Sequence, residues 1–335
     1  MLKKFSIGFI LSVMMLVLAA CGGNDNDAST DSGSKKDTSK KDADITIGFS
    51  QVTQESPFYI SLVEGAKEEA AKLGVELIVI DAQNDIEKQN ADVQSLLTKG
   101  IDALILNPTN PSAVSPSMKA AKQNDVPVIT VDRNTNDQPT AYVGRDNEEM
   151  GRLAGEKAVA LLGGAGSAKG KIIELQGDAG GTVMMARHAG FHEMIEKEAG
   201  IEVIEGPYND YIRAKAVTSM QDLLQAHPDV DLVYAHNDDM ALGALQVLKQ
   251  ANLLDQVSIV GIDGLMEAIK HIEDGQYDAT VLNDPITMGK LAVQTAVKIV
   301  KGEEVDKYID GGTALVDSSN AGEYLSDEYE FAVME

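Results

Sequence analysis

Polar side chains stand where short apolar runs end: Asn107 after Leu104-Ile-Leu106, Asp132 and Arg133 after Val128-Ile-Thr-Val131, Asn237 after Tyr234-Ala-His236, and Asp263 after Ile262. A carboxylate accepts two hydrogen bonds from neighbouring hydroxyls, and a guanidinium fork donates to ring or hydroxyl oxygens. Together they suit a small polyhydroxylated ligand. Each taken alone reads equally as a helix N-cap or turn former, and the Asp132–Arg133 pair as an ordinary strand-end salt bridge. Five at equivalent places favour the ligand. Phe58 and Tyr59, just past the first apolar run, offer ring faces to a ligand's C–H groups, or anchor a core. Arg187 and Arg213 are expected in the first turns of second-half helices, where acids are favoured, so each needs a local partner or simply faces water.

Catalytic patterns are missing: there is no G-x-S-x-G elbow, no H-E-x-x-H and no cysteine nucleophile. Neither catalytic residues nor a cofactor are expected. His188 and His192 are spaced i,i+4 and could hold a metal, but no third ligand is evident, and none is expected to bind. Gly163-Gly-Ala-Gly-Ser-Ala-Lys-Gly-Lys171 has the look of a phosphate loop. It precedes a strand instead of following one, and Ile172 stands where a Ser or Thr is needed, so a flexible turn is expected. The single cysteine, Cys21, rules out a disulfide and a thiolate metal cluster.

The elements that must position these groups alternate. Strands are predicted at 45–49, 75–80, 103–106, 128–131 and 141–143, with helices at 57–73, 86–98 and 112–123 between them. The pattern then restarts, with strands at 171–175, 202–204, 232–235, 257–262 and 279–282 and helices at 184–197, 214–225, 240–249 and 266–274. A last helix, 286–301, has no packing partner that periodicity can name. Strict alternation implies doubly wound parallel sheets with right-handed crossovers, and such sheets bind ligands at the C-terminal ends of their strands. Asp263-Gly264 echoes Asp132-Arg133, which suggests two similar lobes.

The 335 residues suffice for two domains, and their formal charge is −25. Six Lys and six Asp up to Asp44 cancel, so the imbalance lies on the remainder and repels phosphate backbones. Nucleic acid is not an expected partner. Lys3 and Lys4, an apolar run to Leu18 and Leu18-Ala19-Ala20-Cys21 make a secretory signal whose last four residues resemble a bacterial lipobox. Residues 1–21 are then a lipoprotein signal ending at a lipidated (palmitate-bearing) Cys21, and 22–44 a flexible tether rich in Gly, Asn, Asp, Ser and Lys.

From about Ile45 to Leu315 the chain resembles the ribose-type periplasmic sugar-binding proteins of ABC importers. The resemblance is carried by Ser56-Pro-Phe-Tyr59, Asp81-Ala-Gln-Asn84, Asn107-Pro-Thr109, Pro127-Val-Ile-Thr-Val-Asp132-Arg133, Ile173-Glu-Leu-Gln-Gly177, His227-Pro-Asp229 and Asn237-Asp-Asp-Met-Ala-Leu-Gly-Ala-Leu245. It implies two Rossmann-like lobes, 45–146 plus 284–310 and 147–283 plus 311–335, joined by hinge strands near Asp146, Asn283 and Gly311. It also implies sugar contacts at Phe58, Asn107, Asp132, Arg133, Arg187, Asn237 and Asp263. Four further positions depart from the ribose pattern: Ser56 replaces an Asn, Tyr59 and Tyr211 replace phenylalanines, and Asn283 replaces a glutamine. Shorter Ser and Asn leave room and phenols add donors, which points to a related or larger aldose in place of ribose.

The resemblance implies a monomer that closes its hinge over a monosaccharide and delivers it to a membrane permease. Buried charges in an empty cleft are costly, so the unliganded form is expected to stay wet and open. The rivals are a sugar sensor feeding a chemoreceptor or sensor kinase, a LacI-type repressor, and an enzyme on the same fold. The repressor needs a DNA-binding headpiece where this chain carries a signal and a lipidation site.

Overall fold

The computed structural model describes residues 41–334. The first lobe opens with β1 (Thr46–Gln51), α1 (Pro57–Leu73), β2 (Glu76–Asp81), α2 (Ile86–Thr98), β3 (Ala103–Leu106), α3 (Ser115–Gln123), β4 (Val128–Val131) and β5 (Ala141–Gly144). The second continues with α4 (Asn147–Leu161), β6 (Lys169–Gln176), α5 (Thr182–Ile195), β7 (Gly200–Tyr208), α6 (Arg213–Ala226), β8 (Leu232–Ala235), α7 (Asp238–Ala251), β9 (Ser258–Asp263), α8 (Met266–Glu273) and β10 (Ala279–Leu282). The chain then returns through α9 (Pro285–Val300) and β11 (Tyr308–Asp310) before ending on β12 (Leu315–Asp317) and a C-terminal tail.

Two six-stranded sheets result, ordered β11-β5-β4-β3-β1-β2 and β12-β10-β9-β8-β6-β7. Pairing is parallel throughout except where β12 lies antiparallel to β10. The two orders superpose strand for strand, so β4 answers β9 and β3 answers β8. This is the internal repeat that sequence identity between the halves was too weak to establish. The central strands read as unbroken apolar runs because both faces are covered: β3, β4, β8 and β10 are buried at every residue. The main chain passes between the sheets three times, at 145–146, 283–284 and 311–314.

Periodicity did not predict α4, β11 or β12. The helix is interrupted in pattern by Gly151 and Gly155, which read as breakers. Both are there for contact. A Cβ on Gly151 would collide with the Arg187 carbonyl, and one on Gly190 of α5 with the Glu148 carbonyl. Helices α4 and α5 thus touch backbone to backbone, and this seats the α5 segment that carries Arg187. The same device joins α1 to α9, where Gly289 meets the Leu62 carbonyl and Gly65 the Ile286 carbonyl. Helix α9 therefore packs on the first lobe, a placement its own periodicity left open.

The glycine-rich run at 163–171 is a turn between α4 and β6, as expected. Its Gly166 N–H donates to both carboxylate oxygens of Glu198, at 2.7 and 2.9 Å. The anion facing the loop is the protein's own. Among the described residues no helix is long and apolar enough to cross a membrane.

Candidate ligand-binding site

Asp132 and Asp263 end equivalent strands, and both adopt left-handed backbone, with φ of 60° and 123°. Such conformations cost non-glycine residues roughly 1–3 kcal/mol and persist only where the surroundings impose them. For Asp132 the restraint is its own N–H on the Val143 carbonyl (3.0 Å) and Tyr142 Oη donating to its carbonyl (2.9 Å). For Asp263 it is the turn that follows. Buried Asp238, in the first turn of α7, accepts from the backbone N–H groups of Gly264 and Leu265 (2.8 Å each), from Thr280 Oγ1 (2.8 Å) and from Tyr277 Oη (2.7 Å).

Between the two strand ends lies a small cavity of about 20 Å³. Ser56, Phe58, Tyr59 and Asp132 line it from the first lobe, and Val183, Arg187, Tyr211, Asn237 and Asp263 from the second, with Asn283 at the crossing. Arg187 Nη2 donates to Asp263 Oδ1 at 3.2 Å, and Asn283 Nδ2 donates to the same oxygen at 3.1 Å. The Arg187 fork is further fixed by the Asn147 side chain (2.9 Å) and the His236 carbonyl. Asn237 caps α7 through Oδ1, which accepts from Met240 N–H at 3.0 Å, and turns its amide nitrogen to the Tyr211 carbonyl. Arg187 stands in the second turn of its helix, not the first. Arg213 is outside the site, held by Asp239 and Glu267.

Two predicted contacts stand back from this cavity. Asn107 supports Asp132 from behind, its Nδ2 donating to Gln51 Oε1 (2.9 Å) and reaching Asp132 Oδ2 (3.4 Å). Arg133 donates to Tyr59 Oη (2.7 Å) and pairs across the lobes with Asp178 (3.1 Å), its guanidinium 5.7 and 5.9 Å from the Tyr59 and Tyr211 ring centres. It lines a neighbouring cavity of about 60 Å³ with Asn84, Asp178 and Asp210. Cys21 lies outside the described residues.

Sequence reasoning missed Asp178, Gln51 and Val183. Asp178 had a signal, since it follows the strand ending at Gln176 just as the other acids follow theirs. The lobes are closed on each other: Arg133 of the first pairs across the gap with Asp178 of the second, while Arg187 and Asp263 pair within the second. Phe58 also meets Phe331 of the C-terminal tail edge to face, with ring centres 5.9 Å apart.

Polar capacity remains even so. Asn107 Oδ1, Tyr211 Oη, Asn283 Oδ1 and Arg133 Nε are buried with no hydrogen-bond partner among the described residues. Buried polar atoms are normally satisfied, so such a set around one cavity is what a hydroxyl-rich guest would complete. Burial pushes the Asp263 carboxyl up to about 6, against the pull of Arg187 and Asn283. Burial also raises Asp132, opposed by Arg133 and Arg187. The Tyr59 and Tyr211 phenols are held above their ordinary range by burial and keep their protons.

Comparison with known proteins agrees with this geometry. Residues 47–304 match the family described as periplasmic binding protein domain. The chain is 36% identical over 310 residues to the ribose import binding protein RbsB of Bacillus subtilis (strain 168), covering 91% of this chain and 96% of that one. It is 41% identical over 265 residues to RbsB of Escherichia coli (strain K12), covering 78% and 88%. Among solved structures, an ABC transporter solute binding protein from Mycobacterium smegmatis with bound glycerol is 52% identical, with a TM-score of 0.83, covering 87% of this chain and 99% of that one. On its fold, its cleft and its sequence, this chain belongs to the periplasmic binding protein family.

Proposed function

We propose that this chain is an extracytoplasmic solute-binding lipoprotein that closes its two lobes on a monosaccharide and delivers it to an ABC permease. The observation that carries the reading is the cavity between the strand ends, ringed by carboxylates, a guanidinium and buried polar atoms without partners, contributed by both lobes. Neither lobe alone completes those bonds. Closure around a guest is then driven by contacts that only the closed form makes. The named import proteins among the relatives favour delivery to a permease over sensing. The chemistry is capture and release, with no bond made or broken.

The guest is ribose-like or a related aldose. Tyr59 accepts from Arg133 and keeps its own proton to donate, while the Tyr211 hydroxyl is free. Two phenols that can donate, with short Ser56 and Asn283, suit more hydroxyls than ribose presents. Stacking of the sugar's C–H face on Phe58 supplies the apolar part of the contact. The residues assigned to the guest are Ser56, Phe58, Tyr59, Asn107, Asp132, Arg133, Arg187, Tyr211, Asn237, Asp263 and Asn283. Acyl chains on Cys21 hold the protein at the membrane by burying methylenes at ~0.8 kcal/mol each, so two or more anchor it stably.

Calorimetric titration across a panel of pentoses and hexoses tests the reading, with saturable binding of at least one aldose expected. If no monosaccharide binds, capture is wrong; tight binding of ribose alone would sink the interpretation of Ser56, Tyr59, Tyr211 and Asn283. Radiolabelled palmitate should mark the wild-type chain and not the Cys21→Ser variant. Label on both would refute the lipid assignment.

A further inference from the structure

Behind the ligand cavity, the second lobe gathers three imidazoles on one carboxylate, and sugar capture uses none of these four side chains. Glu174 of β6 is completely buried. Its Oε1 meets His188 Nδ1 at 3.0 Å and His236 Nε2 at 2.7 Å, and its Oε2 meets His192 Nε2 at 3.0 Å. His188 and His192 lie one turn apart on α5 with ring centres 4.0 Å apart. Glu205 sits beside Glu174 in the β6–β7 register, on the solvent side. Its carboxylate and the two α5 imidazoles place ligand atoms within 4.8 Å of one another. The missing third ligand for the i,i+4 histidine pair is therefore present, supplied by a strand rather than by the helix.

We propose that His188, His192 and Glu205 bind a divalent transition-metal ion of the Zn²⁺, Co²⁺ or Ni²⁺ class, with Glu174 holding both imidazoles from behind. Three arguments support it. The donor set of two imidazoles and one carboxylate, with a position left for water, matches the preference of these ions. A tetrahedral ion with bonds of ~2.0–2.1 Å needs donor atoms ~3.3 Å apart. The ligand atoms of His188, His192 and Glu205 already lie within 4.8 Å of one another, so small side-chain rotations close the shell. Finally, every side-chain hydrogen bond to Glu174 among the described residues comes from an imidazole, with no Lys or Arg on it. A cation at this point supplies the positive charge that a buried carboxylate requires. His236, behind the carboxylate, then orients it by donating to Oε1, the supporting role that outer-shell partners play around metals.

His188 is a third exposed at its side chain and Glu205 is exposed, so an ion reaches the site without unfolding the lobe. His188 follows Arg187 directly, and His236 precedes Asn237. An ion here would pin α5 to the sheet immediately behind two of the cavity's contacts.

The test uses the full chain stripped with a chelator and then titrated with Co²⁺, Zn²⁺ and Mg²⁺ without sugar. Its failure would leave the capture reading untouched. The expected result is one Co²⁺ per chain with a visible d–d absorption band, displaced by Zn²⁺ and not by Mg²⁺. His188→Ala and His192→Ala should each weaken binding at least ~10-fold, as loss of even a supporting partner does. His227→Ala, on a different surface, should leave it unchanged. Exposed Glu205→Gln carries no folding risk and should weaken binding and alter the band. No stoichiometric Co²⁺ binding by the wild type, or equal binding by the His188→Ala/His192→Ala double variant, overturns the proposal.

Discussion

Replacing Asp263 by Asn should move affinity and stability in opposite directions. The carboxyl is pushed by burial from 3.8 up to about 6, even with Arg187 and Asn283 beside it. That is roughly two pH units, at ~1.4 kcal/mol each, so the ionised group costs the empty protein ~3 kcal/mol at neutral pH. The sign follows from linkage. Folding raises this pKa, so the associated stability is fully present below pH 3.8 and is lost as pH rises through about 6. Asn keeps the shape and removes the charge. The melting temperature of the unliganded protein at pH 7.5 should rise by several degrees, and the difference should vanish near pH 4. Sugar binding should suffer, because a carboxylate accepting two hydroxyls makes charge-assisted bonds of ~1.5–3 kcal/mol each. Their loss corresponds to ~10²–10⁴-fold in Kd. For the wild type, affinity should fall as pH drops through about 6, since bound hydroxyls need the ionised form. Calorimetry and thermal melts on both proteins give every quantity. Binding within a few-fold of wild type, or a melting temperature several degrees lower, would refute the account of Asp263 as a strained acceptor held for the ligand.

Three more substitutions probe other links. Gly190→Ala forces a methyl into the Glu148 carbonyl and should cost ~1–3 kcal/mol in urea unfolding; a neutral result would mean that α4 and α5 do not touch as described. Arg145→Met leaves Asp284 buried without its 3.9 Å partner and should destabilise by ~3–5 kcal/mol, with less than ~1 kcal/mol counting against the assignment. Tyr211→Phe removes a buried hydroxyl that has no protein partner. It should weaken binding of the preferred sugar by ~1 kcal/mol or more and leave the unfolding midpoint of the empty protein unchanged, whereas unaltered affinity would show that the phenol does not face the guest.

Much of this was legible from single residues. The β-branched run before Asp132 announces a buried strand, and an acid at its C-terminal end in an alternating α/β pattern points to the ligand side of the sheet. What was not legible depended on approach between distant elements. Gly151 and Gly155 look like breaks in a helix until α5 is laid against them, although Asp146 capping Glu149 N–H at 2.9 Å was a start signal in plain view. Strands β11 and β12, three residues each, are too short to show any period. Glu174 could not be matched to His188 and His192 by spacing, because it belongs to a strand and they to the following helix.

One buried guanidinium gathers all three connections between the lobes. Arg145 lies on the first crossing and donates to the carbonyls of Asp284 on the second and of Gly311 and Gly312 on the third. A side chain tied to three strands acts as an axle: none of them can bend without carrying the others. Any relative displacement of the three crossings must strain or break buried hydrogen bonds that this one side chain makes. A loosening at any one crossing is therefore felt at the other two, which couples the three connections through a single side chain.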